Sequence, residues 1–114
     1  MTSLNRLNEY RIMWVFVYFD LPTKTKKERK AYTVFRDRLE NDGFTMLQYS
    51  VYVRHCTSRE NAEMHKKRVK NILPPQGHVI IHIITDKQFG MMENYYNTKK
   101  EKKKEPDDNQ LTIF

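Results

Sequence analysis

Asp20 stands at the end of an apolar run, Ile12-Met13-Trp14-Val15-Phe16-Val17-Tyr18-Phe19, and is followed at once by Leu21-Pro22. Eight apolar residues in succession, rich in aromatic and β-branched types, predict a strand buried on both faces in the middle of a sheet. The carboxylate is then carried to the sheet rim, with Lys24, Lys26, Lys27, Arg29 and Lys30 directly behind it. Such an arrangement can hold a hard cation against a phosphate backbone. Asp before Leu-Pro is also ordinary turn or helix-cap chemistry, and the local sequence leaves both readings open.

Other residue types that do chemistry are badly spaced for it. His78 and His82 fall four apart in an expected strand, a span of about 13 Å, too far to share one zinc ion. His55 and Cys56 project to opposite faces of a strand end. Cys56 is the only cysteine, so it forms no disulfide within the chain, fits a reducing compartment and lacks an evident acid-base partner. The three glycines, Gly43, Gly77 and Gly90, do not form a phosphate-cradling loop, which excludes a P-loop nucleotide hydrolase.

The elements that must position Asp20 are legible from period and caps. Thr25-Lys26-Lys27-Glu28 has the form of a capping box, predicting a helix from about Lys26 to before Gly43 with Ala31, Tyr32, Phe35 and Leu39 on its buried face. Lys26, Arg29, Lys30 and Arg36 then point away from that face. From Phe44 to Arg54 the chain alternates, Leu47, Tyr49, Val51 and Val53 against Gln48, Ser50, Tyr52 and Arg54, which predicts two strands meeting near Gln48-Tyr49-Ser50. Thr57 and Glu60 suggest a second capping box, with Ala62, Val69, Ile72 and Leu73 buried, until Pro74-Pro75 ends the helix. Its outer face carries Lys66, Lys67, Arg68 and Lys70. Val79 to Ile84 reads as a buried strand.

Strand, helix, strand, strand, helix, strand is an α+β order, a ferredoxin-like βαββαβ antiparallel sheet with two helices on one face. The expected organisation is an N-terminal extension (1–11), a ferredoxin-like domain (12–98), a charged linker (99–109) and an extra C-terminal edge strand (110–114). That last strand, Leu111-Thr112-Ile113-Phe114, gains nothing from standing alone in water and should dock on this sheet or a neighbour's. The sheet face without helices is apolar and needs a cover, most economically a second copy of the chain. Two Asp20 carboxylates facing one another across a two-fold axis could then share a magnesium ion.

With 21 Lys and Arg against 14 Asp and Glu the net charge is +7, which makes a polyanion the expected partner. Nucleic acid is favoured over membrane because no segment pairs a basic face with an exposed apolar one. The absence of a long apolar segment and of a signal-peptide pattern leads to the expectation of a cytoplasmic protein.

Several segments resemble the family of CRISPR-associated protein two, the CRISPR-associated endoribonuclease that forms the small subunit of the spacer-acquisition complex. They are Val17-Tyr18-Phe19-Asp20-Leu21-Pro22, Arg29-Lys30-Ala31-Tyr32 with Phe35-Arg36, residues 43–52, Ile84-Thr85-Asp86-Lys87-Gln88-Phe89 and the closing Leu111-Thr112-Ile113-Phe114. Phe-Asp-Leu-Pro and Thr-Asp-Lys-Gln-Phe look most like members from type II systems. The resemblance implies a homodimer with Asp20 as the magnesium-binding, catalytic residue of an endonuclease. It also implies a CRISPR integrase partner, two integrase dimers being bridged by one dimer of this chain along duplex DNA. Lys24, Lys26, Lys27, Arg29, Lys30 and Arg36 would then grip phosphates without reading sequence, and Leu111, Ile113 and Phe114 would join the partner protomer or the integrase. Two other functions fit the same fold: a stand-alone toxin-like ribonuclease, and a non-catalytic RNA-binding module stacking bases on Tyr18, Tyr49 or Tyr52.

Overall fold

The computed structural model describes residues 11–97 together with the backbone of 99–100. The resemblance-bearing tail, with Leu111, Ile113 and Phe114, lies outside the described residues, as does nearly all of the N-terminal extension. The elements are β1 (Met13–Asp20), α1 (Lys26–Asn41), β2 (Thr45–Gln48), β3 (Val51–Cys56), α2 (Arg59–Asn71), β4 (His78–Thr85), α3 (Asp86–Gly90), β5 (Tyr95–Tyr96) and β6 (Lys99–Lys100). Sheet order is β2-β3-β1-β4, with β1 antiparallel to both neighbours. This is the expected ferredoxin-like arrangement. β5 and β6 make a separate two-stranded ribbon, so Lys99–Lys100, expected in the charged linker, are paired with Tyr95–Tyr96.

Central placement explains why β1 is apolar throughout. Its odd-numbered residues, Met13, Val15, Val17 and Phe19, pack beneath the helices with Phe35 and Leu39 of α1 and Ala62 and Val69 of α2. Its even-numbered residues Trp14 and Phe16 lie on the opposite face with Val53 and Phe89. Both sides are therefore buried within one chain at the Trp14 end. The cover is supplied by α3: Phe89 stacks on Trp14 with ring centroids 3.8 Å apart and planes 5° from parallel. The Trp14 indole N–H also donates to Asp86 Oδ1 at 2.7 Å. Thr85 and Gln88 close a capping box on this short helix. The Thr85-Asp86-Lys87-Gln88-Phe89 segment thus roofs part of the helix-free face.

The first capping box forms as expected, Thr25 accepting from the Glu28 N–H and Glu28 from the Thr25 N–H. The second differs. Ser58 caps α2, accepting from the Asn61 N–H at 3.0 Å, so Thr57 lies one residue before the cap and Glu60 sits in the first turn without closing a box. Leu73 is 47% exposed, because the helix ends at Asn71 and the chain turns away before Pro74-Pro75. The β2–β3 turn falls where expected, with Ser50 at φ 65 and a register shift between Met46 and Gln48. The shift lies in β2, and β3 itself alternates without a break against β1. Tyr52, grouped by period with the outward residues, is buried under the helices, while its neighbour Val53 is buried on the other face. Burial and the nearby Glu40 carboxylate push the Tyr52 phenol up to about 12, and its ring is not available as a stacking platform.

β4 was expected to be buried and is instead an edge strand within the chain. Val79, Ile81 and Ile83 pack against the helix-side core, whereas Ile80 on the alternate face is 49% exposed. Uniformly apolar sequence marks a strand but does not say which neighbours it has. Among the described residues no helix is long and apolar enough to cross a membrane.

Candidate metal and phosphate site

The alternation of β1 sends Asp20 to the helix-free face, in line with Trp14, Phe16 and Tyr18, and leaves it exposed at the strand's carboxyl end. Two backbone contacts fix this rim. The Phe19 N–H donates to the Ser50 carbonyl at 3.0 Å, docking the β2–β3 turn beside Asp20. On the other side Gly77, at φ +108, lets the entry to β4 lie flush against the chain. A Cβ there would come within 2.6 Å of Leu21 Cδ2 and 2.9 Å of the Asp20 carbonyl oxygen. Gly77 is therefore required both by its backbone angle and by the close approach.

This contact yields a test of rim geometry. Gly77→Ala is expected to lower cleavage per folded molecule by about tenfold or more, since misplacement of a reacting group by an ångström is costly. Gly43→Ala provides the control. Gly43 shares a positive φ of +90, but its added Cβ would meet only the side chain of Arg54, remote from Asp20. Both variants should lose stability, and only the first should lose rate. Equal rates per folded molecule would show that the rim tolerates the shift.

Among the described residues the Asp20 carboxylate takes no hydrogen bond or salt bridge within the chain. Nor does any group of three or more His, Cys, Asp or Glu come together there as a metal cage. One exposed, unpaired carboxylate fits a single ligand position of a hard cation that keeps most of its water, as magnesium does. It does not fit an all-protein cage.

The loop leaving Asp20 is rigidly tied. Glu28 Oε1 accepts from the backbone N–H groups of Lys24 and Thr25 at 3.0 and 2.9 Å. Arg29 Nη1 donates to the carbonyls of Thr23 and Lys24 at 3.1 and 3.0 Å. Part of the Arg29 guanidinium thus braces the loop. Lys24, Lys26, Lys27 and Lys30 are exposed and make no salt bridge among the described residues. Arg36, further along α1, is half-buried and pairs with Asp37 at 3.3 Å. The lysines consequently offer unneutralised charge on the loop and helix that follow Asp20 in the chain, the condition under which phosphates are held.

Sequence reasoning missed two features. The first is His78, whose Cα is the direct cross-strand partner of Asp20; the turn signal at Pro74-Pro75-Gln76-Gly77 marked the strand start but not its partner. The second is a buried polar cluster at the far end of α1. His65 is 3% exposed and its Nδ1 lies 2.8 Å from Asp42 Oδ2, while Arg68 Nη1 lies 2.8 Å from Asp42 Oδ1. The spacing of Ala62, His65 and Val69 on one face of α2 was the available signal. Cys56 is fully buried, which raises its thiol and removes it as a nucleophile.

Residues 13–92 match the model of the family described as CRISPR associated protein Cas2. A protein of Flavobacterium psychrophilum named CRISPR-associated endoribonuclease Cas2 is 53% identical over 109 residues, covering 96% of this chain and 94% of that protein. Proteins of the same name from Parvibaculum lavamentivorans and Paracidovorax avenae are 56% and 42% identical, covering 78% and 95% of this chain and 88% and 99% of their own lengths. With the matched span running from the start of β1 past Phe89, the chain belongs to the CRISPR associated protein Cas2 family.

Proposed function

We propose that the chain is a CRISPR-associated endonuclease, an endoribonuclease by the name its relatives carry, whose catalytic residue is Asp20 and whose cofactor is magnesium. The observation that carries this reading is the exposed, unpaired carboxylate at the end of the central strand, followed in the chain by exposed lysines that make no salt bridge among the described residues. Bound there, magnesium would supply charge stabilisation at the phosphate and activate a water. Asp20 anchors that chemistry, the braced loop and the start of α1 carry Lys24, Lys26 and Lys27 for the phosphates, and the sheet rim fixes the orientation. One carboxylate is few ligands for such a task. A homodimer that brings two Asp20 residues together across a two-fold axis supplies the second.

In the cell the same dimer serves spacer acquisition, bridging two integrase dimers along duplex DNA through sequence-independent phosphate contacts. The net charge of +7 supports this role. The test is cleavage of single-stranded RNA, single-stranded DNA and duplex DNA with and without EDTA, accompanied by light scattering of the same sample. Chelation should stop cleavage and magnesium should restore it, in a particle of two chains. Cleavage indifferent to chelation, or a solitary chain, would overturn the shared-metal reading.

A further inference from the structure

We infer that His78 is a second functional side chain of the Asp20 site, donating a ring N–H to the phosphate of a bound nucleic acid; this rests on the nuclease reading of Asp20. The two residues are directly opposed in the β1–β4 ladder. Opposed residues on antiparallel strands project to the same face with Cβ atoms about 4.5–5.5 Å apart. Both are exposed. Neither side chain bonds to the other or to another described residue, so a carboxylate and an imidazole stand on neighbouring strands with their polar atoms unpaired.

His78 alone holds this position. On the other flank of β1 the ladder with β3 ends at Tyr18 opposite Val51, and the chain then turns at Ser50. β4 continues two residues further, so among the described strands only it reaches Asp20. Gly77 makes the register firm by seating the preceding residue against the Asp20–Leu21 backbone. A bare carboxylate repels a phosphate, and a neighbouring donor offsets that repulsion. Imidazole keeps at least one N–H in either protonation state, so a donor is present in both forms.

The experiment measures binding of a short single-stranded RNA in EDTA and its cleavage in magnesium, for the full chain and for His78→Ala, His78→Asn and Asp20→Ala. Melting curves establish that each variant is folded. His78→Ala should weaken RNA binding about tenfold, the effect of losing one hydrogen bond to a charged group. His78→Asn retains an N–H donor at a similar reach and should recover most of the loss. If His78→Ala binds and cleaves normally while Asp20→Ala is inactive, the His78 assignment fails and the nuclease reading stands. If Asp20→Ala cleaves normally, the nuclease reading fails, and with it the site to which His78 was assigned. A loss that asparagine does not repair in a folded variant would also overturn the N–H contact.

Discussion

Asp20→Ala and Asp20→Asn are expected to reduce metal-dependent cleavage by at least about 100-fold, because several kcal/mol of transition-state stabilisation enter through the cation that this carboxylate anchors. The asparagine variant is the sharper of the two: it keeps the size of the side chain and one oxygen while removing the charge. Neither change should disturb the fold. Asp20 is exposed, supports no internal hydrogen bond or salt bridge among the described residues, and lies past the last apolar position of β1. The melting temperature should move by less than about 2 °C. Single-turnover cleavage and thermal melting on the same preparations check both halves. Undiminished cleavage would remove Asp20 from the chemistry, and a large fall in melting temperature would make it a structural turn residue, the alternative that Leu21-Pro22 leaves open.

Asp42→Ala is expected to lower stability by about 2–4 kcal/mol, equivalent to roughly 10–20 °C in melting temperature. Asp42 caps α1 with its backbone, its N–H reaching the carbonyls of Arg38 and Leu39. Its carbonyl accepts from Arg54 Nε at 2.7 Å. Those contacts survive substitution. What is lost is the carboxylate between His65 and Arg68. Arg68 is largely exposed and finds water, whereas His65 is enclosed and its Nδ1–H would have no partner. Leaving a buried donor unmet is the main part of the cost.

The same cluster gives a pH dependence with a definite sign. Burial alone would raise the Asp42 carboxyl, but the hydrogen bonds and positive charge of His65 and Arg68 outweigh it and hold the group below its ordinary value. A carboxyl lowered on folding stabilises the protein fully above the range in which an unfolded aspartate titrates. That contribution disappears as pH falls through the lower folded value. Asp42→Asn keeps an acceptor for His65 without the charge, so its deficit relative to the parent chain should be constant near neutrality and shrink in acid. Urea unfolding midpoints across acid pH read this directly. A deficit that stays constant down to the most acid conditions would mean that His65 and Arg68 do not depend on an ionised Asp42.

Much of this was legible locally. The residues of β1 announce a doubly buried strand because burial on two faces demands apolar side chains at consecutive positions. Thr25 and Glu28 announce the start of α1 because both sides of a capping box fall within one turn. The errors share a cause. Thr57 and Ser58 are adjacent capping residues, and only the path of the chain decides which of them meets the Asn61 N–H. Tyr52 was grouped by alternation with the outward residues, but β3 lies between β2 and β1 with cover on both faces, so Tyr52 is buried beneath the helices as Val53 is on the other side. β4 was expected to be buried because its sequence is apolar, yet edge position is a property of strand order, which no single strand encodes.

From the sequence by itself came the order of elements, a carboxylate at the rim of a central strand with lysines behind it, and the family resemblance, because caps, periods and motifs are written in neighbouring residues. Only the tertiary structure decided that His78 stands opposite Asp20, that Gly77 is wedged against the Asp20–Leu21 backbone, that α3 roofs Trp14, and that Asp42 satisfies a buried His65. Each of these joins residues remote in the chain through strand register or close packing. Register and packing are set by the whole core at once, so they become visible only when every element has found its partner.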